Sequence, residues 1–157
     1  MQFASKAGYR TVAISRGNDK EALVRELGAH HYIDSAKEDP AEALQTLGGA
    51  KVILATAPNA KAVSSLINGL GQDSELIIVA TSTDPLELSA MDFLKGSNTV
   101  KGTLTGGAEE IQATINFSVL TDIRPMIESY PLDRASEAYD KMMSASTRFR
   151  AVLNISE

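Results

Sequence analysis

Four short runs rich in apolar and β-branched residues, at 10–15 (RTVAIS), 51–56 (KVILAT), 75–81 (ELIIVAT) and more weakly 98–104 (NTVKGTL), alternate with segments of helical period at 19–27, 40–47, 60–70 and 108–120. The apolar residues within the runs are near-continuous and do not alternate with polar ones. That is the pattern of strands covered on both faces, as in a parallel sheet flanked by helices. Strand and helix taking turns along the chain predict an α/β fold, doubly wound. The punctuation agrees with it. Asn18 or Asp19 can cap the helix that ends at Gly28, Asp39-Pro40 is an N-cap followed by proline at the first helical position, and Gly71 fits as the C′ residue of the helix before it.

Both ends of the chain depart from this pattern. Residues 1–7 read as the back half of a helix closed by Gly8, running directly into the first strand. A doubly wound nucleotide fold opens instead with a strand and a glycine-rich turn, whose free backbone N–H groups receive a pyrophosphate at the helix start. The expectation is an α/β sheet lacking its first strand and that turn. The last third, opened by Arg124-Pro125 and Tyr130-Pro131, continues as a helical segment at 132–143 and a final apolar run at 150–155. It reads as a strand-helix-strand tail with no slot in the main sheet. The expected division is therefore 1–121, a truncated dinucleotide-binding domain, and 122–157, a C-terminal segment.

Composition excludes several classes. With 157 residues, 43% hydrophobic and 22% charged, the chain is an ordinary globular domain in size and balance. It has no cysteine, which removes disulfides, thiolate zinc sites and cysteine nucleophiles and fits a reducing compartment, most simply the cytoplasm. A net charge of −5 argues against nucleic acid and anionic membranes as partners. No apolar run approaches the roughly 20 residues that span a bilayer, and the start has no secretion-signal pattern.

The chemistry-bearing residues form a series. Gly8-Tyr9-Arg10 leads into VAIS at 12–15. Then follow Lys20-Glu21, Glu26-Leu27-Gly28-Ala29, His31-Tyr32-Ile33-Asp34, Lys101-Gly102-Thr103-Leu104-Thr105-Gly106-Gly107, Tyr130-Pro131-Leu132, Glu137-Ala138-Tyr139 and Arg150-Ala151-Val152-Leu153. In this order they resemble the zinc-type medium-chain alcohol dehydrogenases over essentially the whole chain, above all the NADP-dependent, cinnamyl-alcohol-dehydrogenase-like branch. The resemblance implies a Rossmann-like sheet and, in a longer parent, hydride exchange between NADP(H) and a primary alcohol or aldehyde. Zinc would then belong to a separate catalytic domain, and this chain alone is expected to be inactive, with weak or absent NADP binding.

In such enzymes the residue that ends the second strand selects the cofactor, because an acidic side chain there accepts bonds from the adenosine ribose and repels a 2′-phosphate. This sequence has Ser15 there, followed by Arg16, with Lys20 one helical turn further on. Together they read as a 2′-phosphate site, since a planar guanidinium and a second cation suit a phosphate dianion. By the same resemblance Thr56, Val79 and Ala80 line the ribose and nicotinamide, Thr103 and Thr105 hold the carboxamide, and Arg150 contacts the pyrophosphate. Each also has a plain structural role open to it: Arg16 and Arg150 as surface charges, Lys20 as a helix-start residue, the threonines as β-formers.

No catalytic residue and no metal ligand is expected in this chain. His30 and His31 are adjacent and point apart on a strand, so they read as a loop-to-strand junction. Asp34 is expected to close its strand by a side-chain to backbone bond, with adenine contact as the lesser alternative. Asp39, Asp140 and the Glu109-Glu110 pair read as helix-end and surface charges, and Met126, Met142 and Met143 as packing. An unfilled strand position leaves backbone edges that recruit partners. A homo-oligomer is therefore expected, through the strand near 98–104 or by exchange at the gap. The competing reading is a non-catalytic nucleotide-binding or dimerisation module.

Overall fold

The computed structural model describes residues 1–80, 82–144 and 146–155; Thr81, the expected end of the third apolar run, lies outside them. The chain forms two compact units, Met1–Glu110 and Ile111–Glu157. Helix α6 (Ala108–Thr121) straddles the division.

In the first unit strand and helix alternate as the apolar runs predict: α1 (Gln2–Lys6), β1 (Val12–Ser15), α2 (Glu21–Glu26), β2 (His31–Asp34), α3 (Pro40–Thr46), β3 (Ala50–Ala55), α4 (Ala60–Leu66) continued by a 3-10 turn to Gly69, β4 (Leu70–Ile78), α5 (Ala90–Leu94) and β5 (Thr99–Gly102). Every strand pairing is parallel. The ladders are two, β1-β2 and β3-β4-β5, and among the described residues no strand bonds between β1 and β3.

Side chains hold the two ladders together. Leu44 of α3 packs in one buried cluster with Ile33 of β2, Ile53 and Ala55 of β3, Val63 of α4, Ile67 of the 3-10 turn, and Leu70 and Leu76 of β4. Leu76 is fully excluded from solvent. Proline at the first helical position and the Asp39 carboxylate, which accepts from Ala41 N at 2.7 Å and Glu42 N at 3.2 Å, start α3 as expected.

Three expectations are corrected. Neither Asn18 nor Asp19 caps α2: the helix starts after Lys20 with no side-chain cap bond, and the Asn18 carbonyl accepts from Glu21 N across a turn. The N-cap position falls on Lys20, after both residues. Gly71 is no helix terminus but lies within β4. Its value there is steric, because a Cβ on the facing Gly49 would come 2.7 Å from the Gly71 Cα, so the two backbones meet where side chains do not fit. Finally, burial on both faces fails at β3, where Ile53 and Ala55 are buried while Val52 and Leu54 are exposed. Helices α3 and α4 contribute Leu44 and Val63 to the same buried cluster as Ile53 and Ala55.

The second unit carries the expected strand-helix-strand motif. After α6 come β6 (Glu128–Pro131), a 3-10 turn to Arg134, α7 (Ala135–Met143) and β7 (Ala151–Asn154), with β6 and β7 parallel. Among its described residues Tyr130, Ala138 and Ile123 are the buried apolar ones. The Tyr130 hydroxyl donates to Glu128 at 2.7 Å, and Arg134 and Lys141 stand 5.8 and 5.3 Å from its ring centre. Met126, Met142 and Met143, expected to pack, are 39%, 53% and 65% exposed.

Because Leu76 is the most enclosed member of the shared cluster, Leu76→Ala should lower the unfolding free energy by about 2–5 kcal/mol. Urea denaturation would read this as a fall in midpoint at constant slope. A loss below about 1 kcal/mol would show that the two ladders do not rely on this packing.

Candidate cofactor-binding edge

In a parallel sheet the carboxyl ends of all strands open on one side, and ligands bind in the crevice outside them. Thr56 follows the last residue of β3, Val79 and Ala80 follow β4, and Thr103 follows β5. Two backbone bonds knit this row together, Val79 N to the Ala55 carbonyl at 3.1 Å and Thr103 N to the Ile78 carbonyl at 3.0 Å. Thr56 and Thr103 are exposed; Val79 and Ala80 are half-buried. Thr105 lies two residues further, in an exposed segment. The structure thus gathers Thr56, Val79, Ala80 and Thr103 along one strand-end row.

Ser15, Arg16 and Lys20 stand apart from that row, at the carboxyl end of β1. Ser15 is the last strand residue, in register with Asp34 of β2. Arg16 and Lys20 are exposed, and among the described residues no ion pair involves either. Asp19 brings a carboxylate into the same turn, 3.1 Å from where a Cβ on Gly17 would sit. Arg150 belongs to the second unit. It immediately precedes β7, with its carbonyl accepting from Glu128 N at 2.9 Å, and its side chain is exposed.

The turn after β1 is held from β2. Ser35 N donates to the Ser15 carbonyl at 2.9 Å, and Gly17 N donates to Asp34 Oδ1 at 2.8 Å. The Tyr32 hydroxyl donates to the Gly17 carbonyl. Asp34 Oδ1 also accepts from Ala36 N at 3.0 Å, so the carboxylate closes its own strand, as the sequence predicts, and in addition fastens the neighbouring turn. That second bond spans 17 residues and depends on the β1-β2 register, which no local pattern reveals. The Ala36 N–H lowers the Asp34 pKa most. Partial desolvation acts the other way, and the Gly17 N–H and Lys37 ammonium, 3.2 Å away, lower it further; the carboxyl ends below the usual aspartate range.

Other candidates keep structural roles. His30 Nδ1 accepts from Thr11 N at 3.0 Å at the entry to β2, and His31 is the first residue of that strand. Glu109 and Glu110 sit in the first turn of α6, and Asp140 is an exposed residue of α7. Among the described residues no three His, Cys, Asp or Glu side chains cluster as metal ligands. Two surface clefts lie elsewhere: one of about 200 Å³ at the amino ends of β3 and β5, beside Lys51 and Thr99, and one of about 570 Å³ between α7 and β7, beside Tyr139 and Leu153.

The family described as zinc-binding dehydrogenase matches residues 1–119. The chain belongs to that family. Over 155 residues it is 41% identical to an alcohol dehydrogenase of Penicillium expansum, covering 99% of this chain and 45% of that protein. It is 29% identical over 156 residues to cinnamyl alcohol dehydrogenase 2 of Rauvolfia serpentina, covering 99% and 43%. The fold superimposes on a cinnamyl alcohol dehydrogenase of Sorghum bicolor with a TM-score of 0.79 at 24% identity, over 99% of this chain and 45% of that one. The chain therefore spans under half the length of these relatives. Within this family of alcohol-dehydrogenase-like oxidoreductases its α/β architecture is Rossmann-like. No helix among the described residues is long and apolar enough to cross a membrane.

The lowered Asp34 pKa fixes the sign of a pH effect. A carboxyl whose folded pKa is depressed adds stability that is present above its unfolded value and lost as pH falls through the folded one. Wild-type stability should therefore climb as pH rises through the acid range up to the unfolded aspartate value of about 3.9, and Asp34→Asn should climb less steeply. Thermal melts across that range test it; equal slopes would show that Asp34 contributes nothing in acid.

Proposed function

We propose that this chain is the nucleotide-selecting part of an alcohol-dehydrogenase-like oxidoreductase whose cofactor is NADP(H), the whole enzyme transferring hydride between it and a primary alcohol or aldehyde. One observation carries the cofactor assignment. Where an acidic residue would favour an unphosphorylated ribose, β1 ends in Ser15, followed at once by the exposed Arg16, with Lys20 at the start of α2 and neither cation engaged in an ion pair among the described residues. A guanidinium offers a 2′-phosphate two parallel charge-assisted bonds, and a lysine adds a point charge. In the same reading Thr56, Val79 and Ala80 border the ribose and nicotinamide, Thr103 and Thr105 face the carboxamide, and Arg150 meets the pyrophosphate.

The rest of the proposal follows from what the chain leaves uncovered. Zinc belongs to a separate catalytic domain, and residues 122–157 pack against that domain, which agrees with the exposure of Tyr139, Met142, Met143 and Leu153. Residues 1–121 form the dinucleotide-binding part, in the cytoplasm. By itself the chain is inactive toward alcohols and binds NADP(H) weakly. The unpaired edges of β1 and β3 and the outer edge of β5 favour self-association, through β5 pairing with its counterpart or exchange at the gap.

Two measurements test this. Fluorescence titration should show NADPH bound more tightly than NADH, with Arg16→Ala removing about tenfold of the preference; equal binding of the two by the wild type would sink the assignment. Size-exclusion chromatography with light scattering should give a dimer or larger species, and a well-folded monomer would overturn the proposed self-association.

A further inference from the structure

Arg16 lies in the β1 turn between two peptide groups that are both held by the neighbouring strand and its exit. Before it, the Ser15 carbonyl accepts from Ser35 N. After it, both polar groups of Gly17 are engaged, the N–H by Asp34 Oδ1 at 2.8 Å and the carbonyl by the Tyr32 hydroxyl. The backbone at Gly17 takes φ 75°, a conformation that side-chain-bearing residues rarely adopt. The Arg16 side chain itself is exposed. A surface arginine normally loses rotamer and loop freedom when it grips a ligand. Here the loop part of that loss is already met in the free protein, which leaves more of each bond's free energy for binding.

Charge adds a second element. A carboxylate beside a phosphate site should repel the phosphate and attract the arginine meant for it. Asp34 is kept from doing either, since Oδ1 accepts from two backbone N–H groups and Oδ2 lies 3.2 Å from the Lys37 ammonium. Its negative charge is spent locally, and no ion pair forms between Asp34 and Arg16.

We infer that Tyr32 and Asp34 are positioning residues for cofactor selection: from β2 they fix the Arg16-Gly17 turn so that the guanidinium is presented to a nucleotide 2′-phosphate. This inference rests on the 2′-phosphate reading of Ser15, Arg16 and Lys20 proposed above. Tyr32 and Asp34 touch no nucleotide themselves; they act through the turn.

The test uses two probes that differ only in the 2′-phosphate, adenosine 2′,5′-bisphosphate and adenosine 5′-monophosphate. Both are titrated into the ¹⁵N-labelled full chain to millimolar concentrations and followed by amide chemical shifts. Tyr32→Phe and Asp34→Ala should each cut the preference for the bisphosphate by about threefold to tenfold, the loss of one hydrogen bond's worth, with the monophosphate affinity unchanged. Asp34→Asn keeps an oxygen acceptor for Gly17 N and should stay within about twofold of the wild type. A role confined to stability would lower both affinities together and leave the preference intact. If Asp34→Ala does not fold by circular dichroism, Tyr32→Phe decides. Should Arg16→Ala abolish the preference while Tyr32→Phe and any folded Asp34→Ala retain it, the positioning role is wrong and the 2′-phosphate reading survives. Should Arg16→Ala leave the preference unchanged, or the wild type show no saturable response to the bisphosphate, the reading falls and the positioning role with it.

Discussion

The packing of α3 against both ladders is the constraint on which the first unit depends. Backbone hydrogen bonds unite strands only where strands are neighbours, and here β1 and β3 are not. What joins β1-β2 to β3-β4-β5 is apolar contact: Leu44, carried on a helix that touches β2 on one side and β4 on the other, enters the same cluster as Ile33, Ile53 and Leu76. Hydrophobic contact is non-directional and tolerates a missing ladder. It does not satisfy the N–H and C=O groups along the facing edges, which is why those edges remain the reactive part of the unit.

The same division shapes the candidate cofactor edge. The row from Thr56 through Val79 and Ala80 to Thr103 is ordered by ladder bonds, so its spacing is that of a parallel sheet. The turn at Ser15-Arg16-Gly17 is ordered by a different device, side chains of β2 reaching across to backbone groups. Those bonds need only the β1-β2 register, in which Ser15 lies opposite Asp34 and Ile14 opposite Ile33. That turn is therefore well formed although, among the described residues, β1 has no strand paired on its other side.

The strands were legible because RTVAIS, KVILAT and ELIIVAT are dense in apolar and β-branched residues, a strand signal that holds even where, as at Val52 and Leu54, one face is exposed. Legibility failed where polar residues enter the ladder or side chains act at a distance. Strand β4 begins at Leu70, before the polar stretch GQDSE, with a register shift between Ala50 and Val52 that no period-two or continuous pattern announces. Gly71 has the look of a helix terminus in sequence and is in fact a point of backbone contact with Gly49. At the turn, Ser15, Arg16 and Lys20 stand out by position, since they follow an apolar run. The tie from Asp34 to Gly17 does not, because a bond across 17 residues is written in pairing register and not in spacing. Resemblance supplied the family, and with it positions such as Thr103 and Arg150 that have no distinguishing local signal.

The electrostatics of the turn bear on how a 2′-phosphate would be read there. Arg16 and Lys20 contribute two positive charges and Asp19 one negative, while Asp34 is compensated by Lys37. The local balance is one net positive charge in a chain whose total is −5. In solvent, with screening over about 8–10 Å at ordinary salt, so small an excess attracts a dianion weakly. Long-range field is thus a poor basis for discrimination at this site. Orientation is a better one: a bidentate guanidinium gains its advantage from angle and distance, which a fixed backbone preserves and a mobile loop dissipates. In the proposed reading, a carboxylate on the neighbouring strand would serve selection for phosphate by holding the peptide that carries the arginine, although its own charge is of the wrong sign to bind the ligand.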